Sequence, residues 1–228
     1  MAFPGMLLPR RPTHVIFDLD GVLLDTEIIY TRVTQQIVAR FGKTFDWSIK
    51  SQMVGKPSIE SARHLVRALE LPLSPEEYLA EREAIFETEM PRADTKAGAV
   101  DFVAGLASRK VPMALATSST QESFALKSTR HSSLFAYFDA IVLGDDPRLE
   151  RGKPAPDIFL LAASEIDADP AQCLVFEDAP AGVEAALAAG MMVVGLPDPA
   201  MDPALLAGAT LIAPSLSDVP FDEIGNPG

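Results

Sequence analysis

The chain has 228 residues, 48% hydrophobic and 22% charged, a composition that excludes a disordered tail and suits one sizeable α/β domain or a core with a smaller insert. Its 32 acidic residues outnumber 19 basic ones, and the net charge of -13 argues against nucleic acid as a partner. A small anionic substrate would need local positive charge, from a metal ion or a well-placed lysine. The single cysteine, Cys173, excludes an intramolecular disulfide and sits in an apolar run, where a buried structural thiol is expected. The opening stretch MAFPGMLLPRRP carries its charges after a short apolar segment, the reverse of a secretory signal. No run approaches the roughly 18 apolar residues of a membrane span, so no membrane partner and a cytoplasmic, reducing location are expected.

In chain order, residues 15–17 form the first short aliphatic run. The interval from Glu27 to about Met90 then carries helix signals and almost no strand signals. Ile28, Ile29, Val33, Ile37 and Val38 recur at helical spacing before Gly42, and Ile59, Ala62, Leu65, Val66 and Leu69 recur again. Ser74-Pro75-Glu76-Glu77 opens a third helix as a capping box with proline at its first position. Aliphatic runs return at 111–116, 141–143, 174–176 and 192–196, with 210–212 weaker. Helical patterns lie at 100–107, 123–127, 156–166 and 182–189, the last ended by Gly190. This alternation predicts a doubly wound parallel sheet, an α/β core of residues 1–25 and 92–228, interrupted by a helical cap over 26–91.

In an open parallel sheet ligands bind beyond the carboxyl ends of the strands, and here those ends are polar. Asp18-Leu19-Asp20-Gly21 follows the first run, Thr117-Ser118-Ser119 the second, and Glu177-Asp178 the fourth; the third leads through Gly144-Asp145-Asp146-Pro147 to Lys153. Two carboxylates about 4 Å apart repel by roughly 4 kcal/mol at an effective dielectric of 20. Asp18, Asp20, Glu177 and Asp178 therefore require a hard dication, and magnesium suits one or two carboxylates plus waters and a phosphate. Lys153 can supply further positive charge, and Thr117 with nearby amides can donate to phosphate oxygens. Aspartates in turns commonly cap helices, so one D-x-D alone is weak; four polar strand ends in one chain carry the case. An EF-hand is excluded because Gly21 stands fourth from Asp18 rather than sixth, and Gly152-Lys153-Pro154 lacks phosphate-loop spacing.

Phe17-Asp18-Leu19-Asp20-Gly21-Val22-Leu23-Leu24-Asp25-Thr26 resembles the opening signature of the haloacid dehalogenase superfamily, whose other motifs follow in order as Thr117, Lys153 and Glu177-Asp178. The resemblance implies a Rossmann-like core with a helical C1-type cap. Residues 114–119, 124–131 and 143–157 are most similar to the pseudouridine-5'-phosphatase-like branch, which also resembles plant proteins hydrolysing flavin mononucleotide.

The resemblance implies a magnesium-dependent phosphatase for a small phosphorylated metabolite, a nucleotide or sugar monophosphate. It makes Asp18 the nucleophile and Asp20 the general acid and base, whose backbone carbonyl also ligates the metal. Asp178 becomes a metal ligand and Glu177 a direct or water-mediated one. Thr117 and Lys153 hold the phosphoryl group, with Ser118 beside them. An acid at Asp20 favours ester hydrolysis over dehalogenase or phosphonatase chemistry. In the cap, Gly55 and Lys56 stand where related caps carry a substrate-facing loop. His14, His64 and His131 lie outside the motifs and read as structural. A monomer is expected. Two alternatives stay open: a β-phosphoglucomutase-like phosphomutase and an inactive binding protein of the same fold.

Overall fold

A computed structural model describes residues 8–54 and 58–225. The chain runs β1 (His14–Phe17), α1 (Thr26–Ala39), α2 (Trp47–Lys50), α3 (Ser58–Ala68), α4 (Pro75–Glu89), α5 (Ala99–Ser108) and β2 (Met113–Ala116). It continues through α6 (Gln121–Ser128), α7 (Ser132–Phe135), β3 (Ala140–Val142), α8 (Asp157–Glu165), β4 (Cys173–Glu177), α9 (Pro180–Ala188), β5 (Met192–Gly195) and β6 (Leu211–Ile212). The six strands form one parallel sheet in the order β3-β2-β1-β4-β5-β6. The order reverses at β1, so a crevice opens beyond its carboxyl end, between the loops after β1 and β4. This is the Rossmann-like α/β architecture expected from the alternating pattern.

The four inner strands β2, β1, β4 and β5 are buried on both faces, whereas Ile141 of edge strand β3 is exposed, and a two-residue period sorts their side chains. Val15, Phe17, Leu115, Leu174, Phe176 and Val194 point into one apolar cluster with α5. Ile16, Ala114, Ala116, Val175 and Val193 point into another with α8 and α9. Phe17 and Phe176, partners in the β1–β4 register, stack with centroids 4.8 Å apart, and the Phe102 edge meets Phe176 at 5.3 Å. Each such ring contributes about 1.5–3 kcal/mol by burial, and together they fix the two strand ends that carry the acidic residues. Cys173 is fully buried in β4, and burial, followed by the nearby Asp169 charge, pushes its thiol up to about 11.

Between β1 and β2 the chain is helical, and Ile29, Val33, Ile37, Leu65, Tyr78 and Phe86 form a third apolar cluster separate from the other two. Ile28 departs from expectation: it is 61% exposed, because one residue turns the side chain about 100° away from the Ile29–Val33–Ile37 stripe. The capping box forms as the sequence predicts, with Ser74 Oγ accepting from Glu77 N and Glu77 accepting from Ser74 N. Strand edges shift slightly from the aliphatic runs: β2 begins at Met113, after Val111 and Pro112. The helix expected over 182–189 starts earlier, at Pro180, whose missing N–H costs nothing in a first turn. Among the described residues no helix is long and apolar enough to cross a membrane.

Replacing Ser74 by Ala leaves the Glu77 amide without its partner. We expect a loss of about 1 kcal/mol in urea unfolding, without change in the sheet.

Candidate active site

The β1–β4 pairing continues one step past β1, where Asp18 N donates to Phe176 O at 2.9 Å. On the other side Thr117 N donates to Val142 O at 3.1 Å, holding the end of β2 against β3. These bonds bring Asp18, Thr117, Glu177 and Asp178 to one wall of a cavity of about 510 Å³, together with Asp20, Ser118 and Lys153. The helical layer supplies the opposite wall with Tyr30, Trp47, Lys50, Tyr78 and Arg82. A cavity of this size suits a small metabolite.

Lys153 organises the floor. Its Nζ donates to Asp18 Oδ1 at 2.5 Å, Glu177 Oε1 at 2.8 Å and the Ala116 carbonyl at 3.2 Å, which uses all three ammonium protons. The second oxygen of Glu177 accepts from Ala179 N at 2.8 Å, at the start of α9. Burial works against the Lys153 charge, and the Asp18 and Glu177 carboxylates outweigh it, so the amine stays protonated. The Asp18 carboxyl is pushed up to about 7, first by burial and then by Glu177 and Asp20, against the pull of Lys153.

Asp178 is raised well above the usual carboxylate range, by burial first and then by the Glu177 and Asp18 charges, with no lysine to offset them. A carboxylate in this setting would be stabilised in its charged form by a nearby cation. Gly21 makes the approach possible: its φ is +75°, and a Cβ there would overlap the Asp178 carboxylate. The donor set is narrower than four carboxylates. Both Glu177 oxygens are engaged, and Asp20 turns its carboxylate elsewhere. Among the described residues no three His, Cys, Asp or Glu side chains close on a single ion, leaving Asp18, with one oxygen free of Lys153, and Asp178, raised in part by the Asp18 charge, as the candidate side-chain donors. Two carboxylates with waters and a substrate oxygen fit magnesium, which dehydrates reluctantly.

Asp20 is surrounded by residues to which sequence reasoning gave no role. Thr26 Oγ1 donates to its Oδ1 at 2.7 Å, while Lys127 Nζ at 2.8 Å and Ser119 Oγ at 3.1 Å donate to Oδ2. Burial pushes the Asp20 carboxyl up, but the Lys127 charge and these hydrogen bonds prevail and hold it below its usual range. Thr26 and Ser119 lie within or beside the recognised motifs, so adjacency was an available signal. Lys127 stands 107 residues from Asp20; it falls in the 124–131 stretch that carries the family resemblance, but its place one residue before the end of α6 reads by itself as a favourable C-terminal charge.

Other predicted residues lie elsewhere. Asp145 accepts from Gln121 N at the start of α6, and Asp146 pairs with Arg148, so the acidic pair after β3 is engaged outside the cavity. Ser118 is exposed toward the cavity, with its backbone against Gly144. Gly55 and Lys56 lie outside the described residues. Among the described residues, the cations lining the cavity from the helical layer are Lys50, 2.9 Å from Glu27, and Arg82, whose Nε is buried without a partner. His14 and His131 engage Thr13 and the Ala93 carbonyl, away from the cavity.

A parallel sheet with a lysine-bridged carboxylate pair at its central strand ends defines a hydrolase class, and a family profile described as haloacid dehalogenase-like hydrolase matches residues 12–190. The chain belongs to that family and is a phosphoric monoester hydrolase. It is 44% identical to (DL)-glycerol-3-phosphatase 2 of Arabidopsis thaliana over 94% of this chain and 92% of the relative. It is 43% identical to a probable pseudouridine-5'-phosphatase of Drosophila melanogaster over 96% of each chain. Among solved structures, a HAD family hydrolase from Deinococcus radiodurans with bound phosphate and sodium superposes with TM-score 0.76 at 28% identity, covering 91% of this chain and 93% of that one.

Gly182 in α9 packs so closely that a Cβ would overlap the Glu177 carboxylate. Gly182→Ala should therefore cost about 1–3 kcal/mol in denaturant unfolding despite the better helix propensity of alanine. Unchanged or increased stability would show that Glu177 is not held between Lys153 and Ala179.

Proposed function

We propose that the chain is a magnesium-dependent phosphatase that removes the phosphoryl group from a small polyol, sugar or nucleoside monophosphate through an aspartyl phosphate on Asp18. The observation that carries this reading is the Asp18 carboxylate gripped through one oxygen by Lys153 at a cavity floor, with a second carboxylate, Asp20, two residues away in the same cavity. The named activities of the glycerol-3-phosphate and pseudouridine 5'-phosphate relatives support the substrate class.

In this mechanism the free Asp18 oxygen attacks phosphorus and the bond from phosphorus to the ester oxygen breaks. In the substrate complex the negative phosphoryl group beside Asp20 opposes the pull of Lys127 and favours the protonated carboxyl; Asp20 gives that proton to the departing oxygen and takes one from the water that attacks the acyl phosphate, which restores it for the next turnover. Inorganic phosphate leaves and Asp18 is restored. Lys153 and Thr117 hold the phosphoryl oxygens, Lys153 through charge and Thr117 through its hydroxyl. Asp18 and Asp178, the Asp20 backbone carbonyl and Glu177 through water would hold the magnesium ion. Bound there, the ion supplies positive charge to phosphoryl oxygens beside crowded carboxylates.

The helices α1 to α4 act as the cap, with residues 26–91 as the insert. Their Tyr30, Trp47 and Tyr78 offer ring faces, and Lys50 and Arg82 offer donors, to whatever the phosphate was attached to. This mixed wall suits a hydroxylated leaving group.

Purified protein incubated with magnesium and a panel of polyol, sugar and nucleoside monophosphates should release free phosphate. Isomerised sugar phosphate without free phosphate would overturn hydrolysis in favour of a mutase. Asp18→Asn should reduce phosphate release by at least about 10³-fold, with thermal stability retained or increased, because burial and the Glu177 and Asp20 charges disfavour the Asp18 carboxylate and Lys153 keeps Glu177 as its partner. Excess EDTA should abolish turnover and magnesium should restore it; activity indifferent to chelation contradicts the cation site.

A further inference from the structure

Lys127 is a buried cation for which the reaction above names no use. Its side chain is 2% exposed, and its ammonium donates to Asp20 Oδ2 at 2.8 Å, Ser119 Oγ at 2.9 Å and the Tyr30 hydroxyl at 3.3 Å. A lysine withdrawn from water to this extent needs compensating acceptors, and these three oxygens match its three protons. They come from three separate parts of the fold: the loop after β1, the turn after β2, and α1 in the helical layer.

Packing alone does not account for this ammonium. Phe124 already docks α6 against Phe135, with centroids 5.1 Å apart, and Leu126 packs on the helical-layer cluster. An aliphatic side chain at 127 would complete that packing without burying a charge. The Asp20 carboxylate, by contrast, is held from both sides, by Thr26 on Oδ1, by Ser119 on Oδ2 and by Lys127, whose Nζ lies 2.8 Å from each oxygen. Three groups from three chain segments therefore over-determine its orientation. A proton donor is effective only when its carboxyl lies within hydrogen-bond reach of the departing oxygen, and small misplacements cost large rate factors.

We infer that Lys127 is a positioning residue for Asp20, locking the acid/base carboxylate in one orientation beside Asp18 and, through Tyr30, tying that orientation to the helical layer. The inference rests on the assignment of Asp20 as proton donor proposed above. The Asp20 proton goes to the ester oxygen as its bond to phosphorus breaks; Lys127 keeps its own protons and touches neither substrate nor phosphate.

The test is a leaving-group comparison. An alkyl ester such as glycerol 3-phosphate must receive a proton as it departs, whereas 4-nitrophenyl phosphate departs as a stable phenolate. With Lys127→Met, kcat/KM for the alkyl ester should fall about 10²-fold more than kcat/KM for the aryl ester. Lys127→Arg should recover part of that difference, and Tyr30→Phe should give a smaller loss in the same direction. The ratio of the two esters cancels the amount of folded protein, so a poorly folding variant still reports, and Lys127→Gln gives the same reading should Lys127→Met yield no soluble protein. Equal losses on both esters, for Lys127→Met and Lys127→Gln alike, overturn the inference and leave Lys127 a structural residue. Asp20→Ala separates the two levels of the argument. If it fails to discriminate between the esters, the acid assignment is wrong; if it discriminates and the Lys127 variants do not, only the role of Lys127 is wrong.

Discussion

The interaction on which the rest depends is the neutralisation of crowded carboxylates by two buried lysines at the carboxyl ends of the central strands. The protein carries a net charge of -13, yet concentrates Asp18, Asp20, Glu177 and Asp178 around one cavity. Lys153, 8% exposed, bridges Asp18 and Glu177; Lys127, 2% exposed, holds Asp20. Removing either lysine would typically cost about 3–5 kcal/mol, because the carboxylates it pairs with are left behind without water. The two cations divide the acids into two paired sites and leave Asp178 outside both. That unpaired carboxylate supports the dication proposed for this site.

The hydrophobic sheet beneath makes this arrangement rigid. Phe17 and Phe176 precede Asp18 and Glu177 in their strands and stack on each other, so the aromatic contact and the acidic pair are set by the same register. Alternation sends neighbouring residues to opposite faces, and both faces are covered, which keeps β1 and β4 from slipping. A one-residue slip would send Phe17 to the face of Ile16 and move Asp18 away from Lys153.

The helical layer is not independent of the acid chemistry. Thr26 and Tyr30, both in α1, reach the Asp20 cluster, the first directly and the second through Lys127. The same helix carries Ile29, Val33 and Ile37 into the cluster that also holds Tyr78 and Phe86. The element that lines the substrate side of the cavity is thus bonded to the carboxylate expected to move protons.

How much was legible follows from the range of each interaction. The alternating runs, the capping box at Ser74, the family signature at 17–26 and the polar strand ends depend on residues close in sequence, so the parallel sheet and the cluster of Asp18, Thr117, Lys153, Glu177 and Asp178 could be read from them. Periodicity placed Ile28 on an apolar face because it counts residues without knowing which side of the helix meets a neighbour. The pairing of Lys127 with Asp20, the engagement of both Glu177 oxygens and the placement of Arg82 and Lys50 across the cavity were decided only by tertiary structure. Each depends on where a long side chain ends after distant segments pack, and that position is set by burial and by the search of every buried charge for a partner, neither of which leaves a local pattern in the chain.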